Sequence, residues 1–422
     1  MTQPHATLKT FKVLSHLGKG GYGNVYLVRK KGGLDDGSLY AMKIMEKPDD
    51  ALSLQDSITE RKVHEKVSNI PFLVGLHYAC QTEMRLYLII DYYEGGTMTN
   101  LLRQKGPFTE DQARIYIAEV VLAIEHLHKM RVIHRDLKPD NILLDARGHV
   151  AVADYGISKT FRSPKKAKRT YSFCGTREYM APEVIRSKGY GLAADWWSVG
   201  VLAYEMVKGV KPFKYNKDCS DCTLFSKILN CKPVMPRSAS KDMRDLITRL
   251  LEKQPRYRLC TGKRDAKEIK THRFFRDINW EDVKNKVIPM PFVPVFDHGI
   301  NNTIQEYSIL EPPISEMERG KTVKGYTFPP PEFIPNGNSS RSSSQCSDTN
   351  AEPMAKRNII KRQPKRNIPN RIPEPAIKAG PSKAMPCKQK RKPSFKQAVP
   401  PCKKHKYGRS PHDTEDVTTS ET

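Results

Sequence analysis

Between residues 11 and 275 apolar positions recur densely, and the period of their recurrence changes along the way. "FKVLSHL", "NVYLVRK" and "SLYAMKIM" alternate apolar and polar residues or cluster β-branched ones, which predicts successive antiparallel strands. "RLYLIIDYY" is more continuously apolar and predicts a further, more buried strand. "DQARIYIAEVVLAIEHLHKM" carries apolar residues at helical spacing, and Thr109-Glu110-Asp111 offers it a capped start. "ADWWSVGVLAYEMVKG" and "SKDMRDLITRLLEK" predict later helices. Strands first and helices afterwards give an α+β, bilobal expectation. A small antiparallel sheet lobe, about residues 11–93, joins a larger helical lobe, about 94–275.

The pattern fades after "THRFFRDINW". Residues 276–335 form a tail, Pro-rich with scattered aromatics from 281 onward. It is too apolar for a free linker and is expected to run along the surface of the core. From 336 to 422 Ser, Asn, Pro and Lys/Arg dominate. Such a stretch cannot bury enough apolar surface to offset the entropy of ordering, so disorder is expected there. No repeat of solenoid period is present.

Charge sharpens this division. The 422 residues carry a net charge of +26, and residues 351–410 alone hold 18 Lys/Arg against 2 Asp/Glu. Tail charge of this kind bears on binding and address and not on fold. "PKRN", "KQKRKP" and "CKKHK" are basic clusters of the sort that serve nuclear import through importin or non-specific nucleic-acid contact. Nucleus and cytoplasm are therefore the expected locations, although a merely solvating tail would look the same. No stretch approaches the roughly 20 apolar residues that span a bilayer, so no membrane association is expected. Nine scattered cysteines suit free thiols in a reducing compartment. Cys219, Cys222 and Cys231 have metal-like spacing at first but lack a fourth ligand, and free thiols are the expected state.

Candidate chemistry lies in four places. "LGKGGYGNVYLV" sets Gly18, Gly20 and Gly23 in G-x-G-x-x-G spacing beside Leu17, with a β-patterned run through Val25 following. A plain turn would read similarly, but a strand after the glycines suits a hairpin folded over nucleotide phosphates. Lys43 follows on a strand in "YAMKIM", next to Ala41, and Glu60 in "SITERKVHEKV" is its best candidate partner. "HRDLKPDN" is the most specific stretch: Asp136 to accept a hydroxyl proton, Lys138 to steady a γ-phosphate, Asn141 to hold a magnesium ion. Asp154 of "DYG" would join Asn141 at the metal, and "APE" follows at Ala181–Glu183.

These strings resemble the eukaryotic protein kinases and, among them, the AGC group. "SFCGTREYMAPEV", "ADWWSVGVLAYEM" and "QPRYRL" are similar to that group's activation segment and later helical core. "PFLVGLHYACQTEMRLYLIIDYYEGG" and "GYTFPPP" look most like the N-terminal kinase domain of the mitogen- and stress-activated kinases and the p90 ribosomal kinases. The resemblance covers about residues 8–335. It implies a serine/threonine kinase that uses ATP and Mg2+, with Leu17, Gly18, Gly20, Gly23, Val25, Ala41, Lys43 and Glu60 about the nucleotide. Asp195 would brace the catalytic loop, and Glu183 would pair with Arg258 in the interior. Ser172, Ser315 and Thr327 would be phosphosites, with Arg135 meeting the phosphate on Ser172, and protein substrates and an upstream activating kinase would be partners. Chromatin proteins such as histones are the substrate class suggested by the resemblance together with the basic tail.

Three departures bear on that expectation. Tyr155 stands where the group has phenylalanine and brings a hydroxyl that needs a partner. Thr97 replaces a glutamate expected to touch the ATP ribose and a substrate arginine, leaving Asp140 and Glu205 as acids near the peptide groove. Val323 replaces the first aromatic of the tail's hydrophobic motif. The rival expectation is a kinase-shaped scaffold or chromatin-associated binding protein with little catalysis; intact Lys43, Asp136, Asn141 and Asp154 argue for a live enzyme.

Overall fold

Strand β1 (Phe11–Gly20) folds back on β2 (Gly23–Lys30), and β3 (Leu39–Glu46), β4 (Leu76–Gln81) and β5 (Arg85–Asp91) complete an antiparallel sheet of order β1-β2-β3-β5-β4. The computed structural model describes residues 8–20, 23–161, 169–213, 221–236, 238–262, 265–294, 322–324 and 326–328. They belong to one compact unit, Met1–Arg341; a second unit, Ser342–Thr422, lies wholly outside the described residues, as does the expectation of disorder for it. The run predicted as one strand through Tyr93 ends at Asp91, whose carboxylate accepts from Gly75 N (2.6 Å) and meets His77 Nε2 at 2.7 Å. The chain leaves the sheet there to cross to the helical lobe.

Helix α1 (Ala51–Val67) is capped by Asp50, whose side chain accepts from the amides of Leu52 and Ser53. It lies against the sheet and buries Glu60 and His64 along with Val63 and Val67. Helix α2 (Met98–Lys105) opens the second lobe. Helix α3 (Glu110–Lys129) starts with a reciprocal capping box between Thr109 and Gln112, as its sequence predicts. Apolar side chains are buried almost all round α3 and α5 (Ala193–Lys208), as befits helices at the centre of a lobe. Helix α4 (Pro182–Ile185) precedes α5, and α6 (Asp221–Asn230), α7 (Lys241–Leu250), α8 (Ala266–Lys270) and α9 (Trp280–Lys284) surround them. Two small ladders, β6 (Val132–Ile133) with β9 (Lys159–Thr160) and β7 (Ile142–Leu144) with β8 (Val150–Val152), hold the loops between the lobes.

The tail meets the core in two described stretches. Phe292 packs on Phe108, Lys286 reaches Asp145 at 2.9 Å, and the backbone passes so close to Gly148 (φ +90°) that any Cβ there would strike the Phe292 carbonyl. Farther on, Val323 and Tyr326 are buried against the sheet lobe and Phe328 N donates to Ala79 O at 2.9 Å, covering the outer edge of β4. The Gln81 side chain grips the Val323 backbone from both sides, accepting from its N–H at 2.8 Å and donating to its carbonyl at 3.0 Å. Valine at the first motif position therefore still docks. Among the described residues no helix is long and apolar enough to cross a membrane.

Candidate active site

The glycine-rich turn and the sheet form the roof. Gly23 (φ +147°) leaves no room for a Cβ, which would collide with the Ile44 carbonyl on β3, whereas Gly18 faces open space. Gly18 and Gly20 thus keep the roof low-walled while Gly23 lets β1–β2 lie close to β3. Beneath it Ala41, Ile90 and Ala153 are buried in an apolar cluster joined by Val25, Tyr93 and Leu143, a wall suited to a flat aromatic ring. Leu17 is largely exposed at its rim.

Lys43 points from β3 into the cleft, its ammonium 2.6 Å from Glu60 Oε1 and 3.0 Å from Asp154 Oδ1. Burial opposes its charge, but the two carboxylates outweigh burial and hold the ammonium protonated well above its ordinary range. Helix α1 is therefore fixed in the position that closes the pair.

The loop after β6 is braced from below. The amides of His134 and Arg135 donate to the two oxygens of Asp195 at 2.9 and 3.0 Å, and Arg135 takes a left-handed conformation (φ +75°) to do so. His128 reaches the same carboxylate at 3.0 Å. Burial disfavours its charge, yet the hydrogen bond to Asp195 and the Asp265 carboxylate 3.5 Å from Nδ1 prevail and its pKa is pushed up to about 9, so it acts there as an imidazolium.

On this platform Asp136 Oδ1 accepts from Thr176 N (2.8 Å) and Thr176 Oγ1 (2.6 Å), while Oδ2 accepts from Lys138 Nζ (2.9 Å) and Asn141 Nδ2 (3.1 Å). Burial would raise its pKa; the Thr176 and Lys138 hydrogen bonds overcome this and keep it below the ordinary carboxylate value. It is ionised and aimed. Asn141 uses its amide nitrogen on Asp136, and its carbonyl oxygen is left for another partner. Asp154 (φ +63°) takes Lys43 on one oxygen and is likewise held ionised against burial by that ammonium. A carboxylate and an amide oxygen are the hard donors that Mg2+ prefers, so these residues fit the ion.

Tyr155 is fully buried and its hydroxyl donates to Val152 O at 2.9 Å, so the extra oxygen has its partner. Glu183 and Arg258 form a two-pronged interior pair at 2.6 and 2.8 Å. Thr97 caps α2, its hydroxyl accepting from Asn100 N at 3.2 Å. Glu205 accepts from Tyr179 O–H, and Asp140 is exposed nearby. Ser172 is exposed, and Tyr190 O–H donates to its carbonyl at 2.7 Å. Arg135, which neighbours Tyr190, has a buried Nη1 with no partner among the described residues. Thr327 is exposed, 3.5 Å from Gln81 Nε2. Ser315 and Cys219 lie outside the described residues.

Sequence reasoning missed Thr176, His128 and Gln81. Thr176 stands inside the quoted "CGTREY", and its spacing from Asp136 gave no sign of a bond. Gln81 has no local signal, since its partner lies in the tail.

A cleft of this build, between a five-stranded sheet and a helical lobe, defines a protein kinase. The protein kinase domain family matches residues 11–275, and the chain belongs to it. It is 43% identical over 340 residues to Ribosomal protein S6 kinase alpha-4 of Mus musculus and of Homo sapiens, covering 78% of this chain and 44% of theirs. It is 44% identical over 287 residues to Ribosomal protein S6 kinase alpha-6 of Homo sapiens, covering 67% of this chain and 37% of that one. Membership of that family makes the chain a protein kinase, of a family that uses ATP and Mg2+. The chain spans less than half the length of these relatives.

Proposed function

We propose that this protein transfers the γ-phosphoryl group of ATP to serine or threonine hydroxyls of protein substrates. The observation that carries the reading is the convergence of Lys43, Glu60, Asp136, Asn141 and Asp154 on one cleft. Lys43, fixed by Glu60, would orient the α- and β-phosphates, and Asn141 and Asp154 would hold Mg2+. The bound ion would neutralise charge on the phosphates. Asp136, ionised and anchored by Thr176, would receive the proton of the attacking hydroxyl, with Lys138 steadying the transferred group. Purified full-length chain with Mg2+ and ATP is expected to phosphorylate a basic protein on serine or threonine, and Lys43→Met to abolish this. Equal incorporation by the two proteins would overturn the reading.

The peptide preference follows from the acids that remain. Thr97 has its hydroxyl occupied as a helix cap and carries no charge, while Glu205 and Asp140 stay near the groove. A weakened preference for arginine upstream of the target is expected in the same assay, and equal turnover of peptides with and without arginine would exclude it.

Regulation by an upstream kinase at Ser172 is supported by the orphaned Arg135 Nη1 and by Lys159, whose ammonium now bonds Thr170 Oγ1 at 3.1 Å. Ser172→Ala is expected to lower kcat several-fold in protein taken from activated cells, and an unchanged kcat would rule the site out. Chromatin proteins are the proposed substrates and the nucleus a proposed location, on the strength of the basic tail. Deleting residues 351–410 should then abolish nuclear entry; unaltered localisation of the truncated chain would refute it.

A further inference from the structure

His64 is a buried titratable group that the chemistry above does not use. It lies on α1 one turn beyond Glu60 and is 1% exposed. Its Nδ1 is 3.0 Å from the Val74 carbonyl, which can only accept, so Nδ1 carries the proton. Nε2 therefore presents a bare lone pair. It has no hydrogen-bond partner among the described residues and lies 3.9 Å from Glu60 Oε1, the same oxygen that Lys43 holds at 2.6 Å. The His64 ring meets Tyr155 edge-on at 4.6 Å, and Tyr155 meets His134 of the catalytic loop at 5.7 Å. An imidazole–phenol–imidazole column thus runs from α1 to the loop that bears Asp136.

We propose that His64 is a positioning residue for the Lys43–Glu60 pair and does this only as the neutral imidazole. The inference rests on the reading of that pair as the one that orients ATP. A proton on Nε2 would set a second cation against the Glu60 oxygen already bound to Lys43, and would place it beside the Lys43 charge in a site closed off from bulk solvent. Tyr155 on the turn after β8 packs on the ring and Glu60 on its own helix lies beside Nε2, while Lys43 on β3, Asp154 and Asp91 act on it through charge alone and His134 lies behind Tyr155. Burial first, and then the Lys43 charge, push the His64 pKa down to about 4 in this closed arrangement, whereas a hydrated histidine titrates at its ordinary value of 6.5.

The sign follows directly. The closed arrangement binds fewer protons at His64 than one in which α1 has come off the sheet, unravelled and wet the ring. Closure is fully favoured above the ordinary pKa and weakens as pH falls through it. With the two pKa values 6.5 and about 4, the opening constant of α1 rises about tenfold between about pH 7.5 and about pH 5.5. Acid therefore loosens Glu60 from Lys43 well before it protonates Asp136, which is held below its ordinary value.

Hydrogen exchange of the α1 amides in the full-length, nucleotide-free protein measures the opening constant directly, however rare the open state. After correction for intrinsic exchange rates, wild-type α1 protection is expected to fall about tenfold over that pH range. It should stay level in His64→Gln, which keeps a donor for Val74, and in His64→Leu, which removes the polar ring. Level protection in the wild type, or a parallel fall in all three proteins, would overturn the proposal. The exchange measurement needs no phosphotransfer, so an inactive protein would sink the functional reading and leave this one measurable.

Discussion

Asp136→Asn is expected to lower kcat by about 10²–10⁴-fold while leaving the KM for ATP nearly unchanged, as steady-state kinetics would register. The reasoning is atomic. Thr176 donates twice to Oδ1, and an amide oxygen can still accept both bonds, so the activation segment keeps its anchor. On the other side Oδ2 now faces Lys138 Nζ and Asn141 Nδ2, both donors, and an amide nitrogen there would meet them donor to donor. The substituted side chain cannot accept a proton from a hydroxyl at neutral pH. Lys43, Glu60 and Asp154, which would meet the nucleotide, lie outside these contacts. A fall in kcat smaller than about tenfold would mean that Asp136 is not the base.

Glu183→Ala is expected to cost about 3–5 kcal/mol of stability, read as a lowered denaturation midpoint. The Arg258 side chain is completely buried, gripped by Glu183 through both terminal nitrogens, stacked over Trp197 and tied to the carbonyls of Ala193 and Glu252. Truncating the acid leaves the guanidinium with two backbone acceptors and no counter-charge. Activity should fall together with stability, because α4 carries Glu183 at the foot of the activation segment. Removing both charges, as Glu183→Leu with Arg258→Met, should cost less than the single change, since no uncompensated ion remains. An equal or larger loss in the double variant would assign the cost to packing.

The sequence made the cleft legible where function forces residues of fixed type into fixed local spacing. Asp136, Lys138 and Asn141 fall within one octapeptide, and Asp154 follows in a short tripeptide, so each is visible without the fold. Strand and helix periods were equally plain, because β3 is buried over six consecutive positions and α3 all round. What escaped was pairing across distance. Gln81 and Val323 look unremarkable in their own stretches, and only the folded chain aligns one amide side chain with the other's backbone. His64 reads as an ordinary helix residue until Val74 and Tyr155 close on it. Thr97 looked like a lost carboxylate; the fold gives its hydroxyl a separate duty at the start of α2. Local pattern reports what a segment forms, whereas partner choice emerges from packing.

The docked stretch around Val323 and Phe328 belongs to the same polymer as the groove that receives it, and residues 295–321 tether the two described parts of the tail. Tethering makes the encounter intramolecular, at an effective concentration on the order of millimolar. A free peptide copying this stretch would therefore compete poorly against its covalent rival. The same groove in a protein cut between Pro294 and Thr322 would instead become a receptor whose occupancy tracks the amount of peptide supplied.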